Sequence, residues 1–287
     1  EINGVEIIRR LLRLPALRYL KGVLMAVPIV NVFGFLNHSR YLPDRRDLNR
    51  SFPGSDKGSL AARLADLFMT EIVANATHGI DLHTAASHRN NLPQIRAYLD
   101  DDETEHLAKA FGAPVVVDSR LRDGSLRQVA AEKGIPLLVY EAGEALRFDE
   151  VSVRAGVKGI VEVMRSLGML RRHSRKRELP EPHIARSSSW VRAHNSGILR
   201  AVVPLGKYVR KDEILGMISD PFGGEEKEVT ATAGGIVIGR TNLPLVNEGD
   251  GLFHLARFER PRTAAATVEA FGALHEPAPD EEEPPII

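Results

Sequence analysis

The sequence predicts an α/β domain with a mostly parallel or mixed sheet flanked by helices, followed by a small C-terminal β-barrel. Two patterns support this prediction. From residue 1 to about residue 170, helical and strand-like segments alternate, which is typical of a sheet covered by helices. From about residue 186 the segments become short, β-like and punctuated by glycine, which is typical of a small barrel.

Apolar periodicity predicts the elements of the first domain. Residues 7–14 are apolar mainly on one helical face, and the apolar run 23–30 predicts a buried strand. Ser59 can cap a long amphipathic helix that follows it. The other predicted strands are residues 79–83, 92–99, 114–117 and 135–140, and the other predicted helices are 103–111, 125–133 and 150–167.

Three segments make up the rest of the chain. Residues 171–185 begin with five basic residues in seven positions, which predicts a solvated linker, although an acidic partner would also explain the charge. Residues 186–260 contain a weak repeat, in which 191–199 resembles 229–237, and this predicts a barrel of two related halves. Residues 261–287 end in an acidic, proline-rich tail of the kind that is typically disordered.

Composition excludes several classes of protein. The formal net charge is zero, which argues against a nucleic-acid or anionic-membrane binder, and no apolar run reaches the roughly 18 residues of a membrane span. Cysteine is absent, so any metal must be held by His and carboxylate groups. Signatures of serine hydrolases, phosphate-binding loops and dinucleotide-binding loops are missing. We therefore expect a cytoplasmic protein with a small-molecule substrate.

Three polar clusters are candidates for chemistry. Arg50 can bind a carboxylate through two parallel hydrogen bonds, and Asn49 adds an amide donor, although such a pair is more often surface decoration. His83 ends an apolar strand, where a neutral imidazole suits zinc, but a hydrogen-bonded core histidine is the alternative. Glu141 also ends an apolar strand, where partial desolvation would make it a stronger base, unless it is solvated at a loop.

Residues 47–54, 81–83 and 140–143, in this order and spacing, resemble the succinylglutamate desuccinylase/aspartoacylase family, a branch of the zinc carboxypeptidase superfamily. The resemblance spans residues 1–170 and implies a zinc carboxypeptidase-like fold. It also implies hydrolysis of the amide bond of an N-acyl amino acid. The region 186–258 resembles the extra barrel of the same family, which is similar in pattern to biotinyl and lipoyl carrier folds.

The resemblance also implies a metal site. The family's first metal motif is His-Gly-Asp-Glu followed by a helix, and residues 1–6 resemble its last residue and the start of that helix. One Zn²⁺ per subunit is then bound by Glu1 and His83. The third ligand is a histidine three residues before Glu1, outside this sequence. Two histidines and one carboxylate are typical of catalytic zinc with an open position for water.

The remaining roles follow from the same resemblance. Glu141 is the general base and proton shuttle, while Asn49 and Arg50 form the clamp for the substrate carboxylate. Arg40 polarises the scissile carbonyl. The acyl group and the amino acid do not follow from the sequence, and the arginines that are candidates for their pocket are more often exposed. These pocket candidates are Arg89, Arg96 and Arg122.

Several alternatives remain open. A zinc carboxypeptidase acting on short peptides would use the same metal and clamp. A non-catalytic binding or carrier protein would use the C-terminal barrel, where Lys227 is the candidate for modification, although it lacks the flanking Met or Asp common in carrier barrels. An inactive relative would keep the fold without the metal. The barrel itself would either cap the cleft or form a homo-oligomer interface.

Overall fold

A computed structural model describes residues 1–171, 182–259 and 261–275. The helices are α1 (Ile2–Leu11), α2 (Val32–Leu36), α3 (Leu60–Glu71), α4 (Asp102–Phe111), α5 (Leu126–Glu132), α6 (Glu150–Ser166) and α7 (Pro261–His275). The strands are β1 (Gly79–His83), β2 (Arg89–Ala97), β3 (Val115–Asp118), β4 (Leu137–Glu144), β5 (His183–Ala185), β6 (Ser187–Arg192), β7 (Gly197–Ala201), β8 (Tyr208–Val209), β9 (Ile214–Ser219), β10 (Glu226–Thr230), β11 (Gly235–Thr241), β12 (Leu245–Val246) and β13 (Gly251–Arg257).

A mixed sheet lies at the centre of the first domain, which confirms the predicted α/β class. β1 runs parallel to β4 and β3 runs parallel to β2 and β5, whereas β2 and β4 are antiparallel. Alternate residues of β4 enter different cores, as the two faces of a strand require. Leu138 and Tyr140 pack beneath α1, α4 and α6, while Leu137 and Val139 pack beneath α3 and α5.

The structure agrees with most of the elements predicted for this domain. The helix expected near Ser59 begins at Leu60, and the Ser59 hydroxyl accepts a hydrogen bond from Ala62 N–H at 3.3 Å. The strand predicted at residues 23–30 is wrong, because this segment forms no strand pairing among the described residues. Val23 is 81% exposed, and Pro28 has no backbone N–H to donate to a ladder.

The C-terminal strands extend the first sheet. β11 pairs with β2 at Gly239–Asn91, and β13 and β6 then continue the sheet beyond β11. A second antiparallel sheet has the order β10-β9-β7-β12. No closed barrel is found in the described part of the chain, because one half of β11 is paired with the first domain. The internal repeat corresponds to β6 with β7 and to β10 with β11.

Several predictions concern other parts of the C-terminal region. Lys227 lies within β10, paired with Ile218 of β9 and 3.7 Å from Glu225 Oε2, rather than at the hairpin tip where carrier lysines stand. Most of the predicted linker and the whole acidic tail, residues 172–181 and 276–287, lie outside the described residues. Among the helices that are described, none has both the length and the apolar character needed to cross a membrane.

The contact between α6 and α4 leaves no space at Gly159, where a Cβ would overlap the Phe111 ring. We expect Gly159→Ala to lower the free energy of unfolding by about 1–3 kcal/mol through overpacking. Urea denaturation followed by circular dichroism measures this change. Gly272→Ala in α7 is the matched control, because its Cβ meets nothing within 4 Å and alanine favours the helix by up to about 1 kcal/mol. Equal effects at both positions would contradict this packing.

Candidate active site

Polar side chains meet at the carboxyl ends of β1 and β4. The parallel register pairs His83 with Glu141 and Asp81 with Val139. Paired residues project from the same face of a sheet, and here Val139 marks the face covered by α3 and α5. β2 runs antiparallel to β4, so its first residues, including Asn91, arrive at the same end.

Glu1 reaches this end from the position just before α1. Its Oε1 lies 3.4 Å from His83 Nδ1. Its Oε2 accepts a hydrogen bond from the Thr84 backbone N–H, and the Thr84 hydroxyl oxygen is 3.0 Å from the same atom. On the other side of the imidazole, His83 Nε2 lies 2.8 Å from Asp81 Oδ2. The His83 ring is therefore held between two carboxylates, one at each nitrogen.

Asn3 fixes the position of Glu1 relative to β4. The buried Asn3 amide donates to Ala142 O at 3.2 Å, and its oxygen accepts from Asp149 N–H at 3.1 Å. Gly143 leaves the space for this amide, since a Cβ there would be 2.6 Å from Asn3 Nδ2. The start of α1 is thus attached to the strand that carries Glu141.

The two carboxylates around His83 stabilise positive charge at its ring. Burial alone would raise the pKa of Glu1, but the hydrogen bonds and charge contributed by His83 and Thr84 lower it to about 2. Burial also opposes protonation of His83, yet Asp81 and Glu1 together hold its pKa well above the ordinary value. An imidazole nitrogen and a carboxylate oxygen facing each other are donors that suit zinc. A carboxylate on the far ring nitrogen is the usual outer partner of a metal-bound histidine.

The residues present therefore fit a zinc ion at Glu1 and His83. Within the described residues, no group of three His, Cys, Asp or Glu side chains is placed to hold a metal. Glu1 and His83, the two predicted ligands that belong to this sequence, face each other at 3.4 Å.

Glu141 is held by one of its two oxygens. Asn91 Nδ2 donates to Oε2 at 2.9 Å, and Arg96 Nε lies 3.2 Å from the same atom. Oε1 accepts no hydrogen bond from the described residues, which leaves this oxygen without a protein donor. Asn91 was missed in the sequence because a single amide within a β-like segment has no distinguishing local pattern.

A second partly buried arginine, Arg127, lies near this carboxylate. Burial, followed by the charge of Arg96, lowers the pKa of Arg127. One Arg127 nitrogen donates to Arg120 O at 2.8 Å, while Nη1 is buried without a hydrogen-bond partner. The Nε atom of Arg96 is likewise buried and makes no contact with hydrogen-bond geometry. Buried N–H groups without acceptors are costly, so this side of the site suits an anion.

The predicted clamp lies on a separate loop beside α5. Asn49 Oδ1 accepts a hydrogen bond from Leu126 N–H at 3.0 Å, and Arg50 donates to the Asn49 carbonyl. Asp47 connects this loop to Arg40, because it accepts from Asn49 N–H and from Arg40 Nε, both at 2.9 Å. Among the described residues, no hydrogen bond or ion pair joins the clamp loop directly to the three other predicted site residues. These are Glu1, His83 and Glu141.

Of the other candidate arginines, Arg89 lies at the junction with the C-terminal strands. Its guanidinium is 4.8 Å from the centre of the Trp190 ring, and Trp190 stacks on His254 at 4.7 Å. His254 is 4% exposed, and its Nδ1 has no hydrogen-bond partner. Burial and the charge of Arg96 lower the pKa of His254 to about 3, so this histidine is neutral. Arg122 lies in the loop before α5, where its carbonyl accepts from Ser125.

Comparison with known proteins identifies relatives along most of the chain. A family model described as the succinylglutamate desuccinylase/aspartoacylase catalytic domain matches residues 1–167. N-alpha-acetyl-L-2,4-diaminobutyric acid deacetylase from Halomonas elongata is 26% identical over 268 residues, which cover 89% of this chain and 78% of that protein.

Two solved structures are similar at 26% identity and a TM-score of 0.79. One is a succinylglutamate desuccinylase/aspartoacylase from Rhodobacter sphaeroides, with 90% of this chain and 82% of that chain covered. The other is the product-bound ectoine utilization protein EutE (DoeB) from Ruegeria pomeroyi, with 89% and 81% covered.

The neutral, buried His254 predicts a pH dependence of stability. Its pKa is 6.5 in the unfolded chain and about 3 in the folded one, so the unfolded chain binds more protons between these values. Stability from this group is therefore complete above pH 6.5 and falls as the pH drops toward 3. We expect a loss of about 2 kcal/mol between pH 7 and pH 5 that His254→Phe does not show.

Urea denaturation of both proteins at the two pH values measures this difference. Phenylalanine keeps an aromatic ring on Trp190, so the comparison isolates the titration. His194→Phe, at an exposed position, is the matched control and should retain the wild-type pH dependence. Parallel pH profiles for wild type and His254→Phe would show that His254 does not cause the loss.

Proposed function

Because the chain belongs to the succinylglutamate desuccinylase/aspartoacylase family, we propose that it is a zinc-dependent hydrolase of N-acyl amino acids. Hydrolysis of the amide bond would release a carboxylic acid and a free amine. The parallel register that sets His83, and with it Glu1, beside Glu141 carries this proposal. The name of the Halomonas elongata relative makes N-acetyl amino acids the first substrates to test.

Glu1 and His83 would hold the metal. Asp81 lies at the far nitrogen of the His83 ring, where it would keep the proton on Nε2 and leave the lone pair of Nδ1 free to bind the metal. Zinc bound there would lower the pKa of a water toward about 7, which makes hydroxide accessible at neutral pH.

Glu141 would transfer the proton. Its Oε2 is occupied by Asn91 and Arg96, so Oε1 is the oxygen that accepts a proton from the attacking water. As the carbon–nitrogen bond breaks, the same oxygen would return that proton to the departing amine. A positioned general base of this kind contributes on the order of 10²–10⁴ in rate.

The clamp loop would bind and polarise the substrate. Asn49 keeps its Nδ2 group as a donor because Leu126 N–H occupies its oxygen. No acidic side chain pairs with Arg50 in the described part of the chain, so its guanidinium can take the substrate carboxylate in two hydrogen bonds. Arg40, held by Asp47, would stabilise the negative charge that develops on the scissile carbonyl.

The role of Glu141 is tested by Glu141→Gln in the purified protein. We expect kcat on N-acetyl amino acids to fall about 10²–10⁴-fold, because the amide cannot accept the proton of the attacking water. Release of the free amine, measured over a panel of acetyl, succinyl and longer acyl amino acids, gives the rates.

Glu132→Gln, at the end of α5 away from the site, is the matched control and should keep the wild-type kcat. Near-normal hydrolysis by Glu141→Gln would remove Glu141 from the role. Cleavage of short peptides in preference to every acyl amino acid would instead identify a carboxypeptidase.

Zinc binding is tested apart from activity. We expect one zinc ion per chain by elemental analysis of the purified protein, and loss of most of it in His83→Ala, because one ligand is removed. Removing the metal with a chelator should abolish hydrolysis, and added zinc should restore it. His106→Ala, on α4, is the control and should keep its zinc. Hydrolysis that survives complete chelation would contradict zinc dependence.

A further inference from the structure

We propose that Gly239, in the C-terminal strand β11, is a positioning residue for Glu141 and acts through the side-chain amide of Asn91. The inference rests on the proposed function of Glu141 as general base. It assigns to the C-terminal strands a direct part in arranging the site.

Gly239 belongs to a row of paired residues that crosses four neighbouring strands. Gly143 of β4 pairs with Asn91 of β2, Asn91 pairs with Gly239, and Gly239 pairs with His254 of β13. Directly paired residues place their side chains next to each other on one face. Glu141 lies two residues before Gly143 on β4, and its carboxylate accepts the hydrogen bond of Asn91, so the row leads from β13 to this carboxylate.

Because Gly239 has no side chain, Asn91 occupies the space next to its Cα. A Cβ at Gly239 would lie 2.7 Å from Asn91 Oδ1 and 3.3 Å from His254 Cβ. Real Cβ atoms do not approach an oxygen this closely, so an alanine at this position must displace the amide. Asn91 is 7% exposed and lies between two paired strands, which leaves little room for a small adjustment.

Displacement of Oδ1 is transmitted to Glu141 because the amide group is planar and rigid. Nδ2, the other end of the same group, donates to Glu141 Oε2 at 2.9 Å. Arg96 is the second partner of Oε2, but its Nε lies 3.2 Å away outside hydrogen-bond geometry, so Asn91 makes the directional contact of this carboxylate. A displaced Asn91 amide would therefore change the direction of Oε1.

The experiment compares Gly239→Ala with Gly234→Ala in the purified protein. A Cβ at Gly234, just before β11, has Tyr208 Oη at 3.4 Å as its nearest neighbour, which is an ordinary contact. We expect Gly239→Ala to lower kcat about 10–100-fold with KM within about threefold, since misplacing a catalytic group by about 1 Å has an effect of this size. Gly234→Ala should keep kcat within about twofold.

A double-mutant cycle tests whether the effect passes through Asn91. Asn91→Ala should lower kcat by a similar factor, and adding Gly239→Ala to it should change kcat less than about twofold, because the displaced oxygen is gone. If Gly239→Ala lowers kcat equally in both backgrounds, the proposal is overturned. An unchanged kcat in Asn91→Ala, which adds no volume, also overturns it, even if Gly239→Ala fails to fold.

Glu141→Gln separates this proposal from the function on which it rests. Wild-type rates in Glu141→Gln would show that Glu141 is not the general base. Gly239 would then have no catalytic group to position. Loss of activity in Glu141→Gln together with full activity in Gly239→Ala would leave the hydrolase function standing and refute only the role of Gly239.

Discussion

The parallel pairing of β1 with β4 is the constraint on which the site depends. It places His83 opposite Glu141, and a shift of one residue would turn Asp81 and His83 to the other face of the sheet. Burial enforces the register, since Ile80 and Leu82 pack with the apolar core beneath α1, α4 and α6. The same hydrophobic effect that stabilises the domain therefore determines which polar groups meet.

Attachment of α1 to β4 completes the arrangement. Without the two hydrogen bonds of Asn3, nothing in the strand pairing alone would bring Glu1 to His83. Positive and negative groups then occupy opposite sides of the site. Two carboxylates contact His83, and the partly buried guanidiniums of Arg96 and Arg127 lie near Glu141. A chain with no net charge thus has a strongly polarised site.

Local patterns in the sequence predicted the features that depend on neighbouring residues, such as strand ends and helix caps. Strand ends carrying His83 and Glu141 follow from apolar runs that stop at a polar residue, and Ser59 follows from capping chemistry. The contacts of Asn91 and Gly239 could not be predicted in this way, because they arise from a pairing between strands about 150 positions apart. For the same reason the C-terminal strands were expected to close on themselves, whereas β11 joins the first sheet.

Trp190 is the only tryptophan in the chain, so all tryptophan emission reports on its surroundings. Its indole contacts both the Arg89 guanidinium and the His254 ring, and His254 belongs to the row of residues that ends at the proposed base. Tryptophan emission depends on nearby charges and stacked rings. The tryptophan emission of the protein therefore comes from this contact of β6 with Arg89 of β2 and His254 of β13, so it provides an unlabelled optical signal for changes where the C-terminal strands join the first sheet.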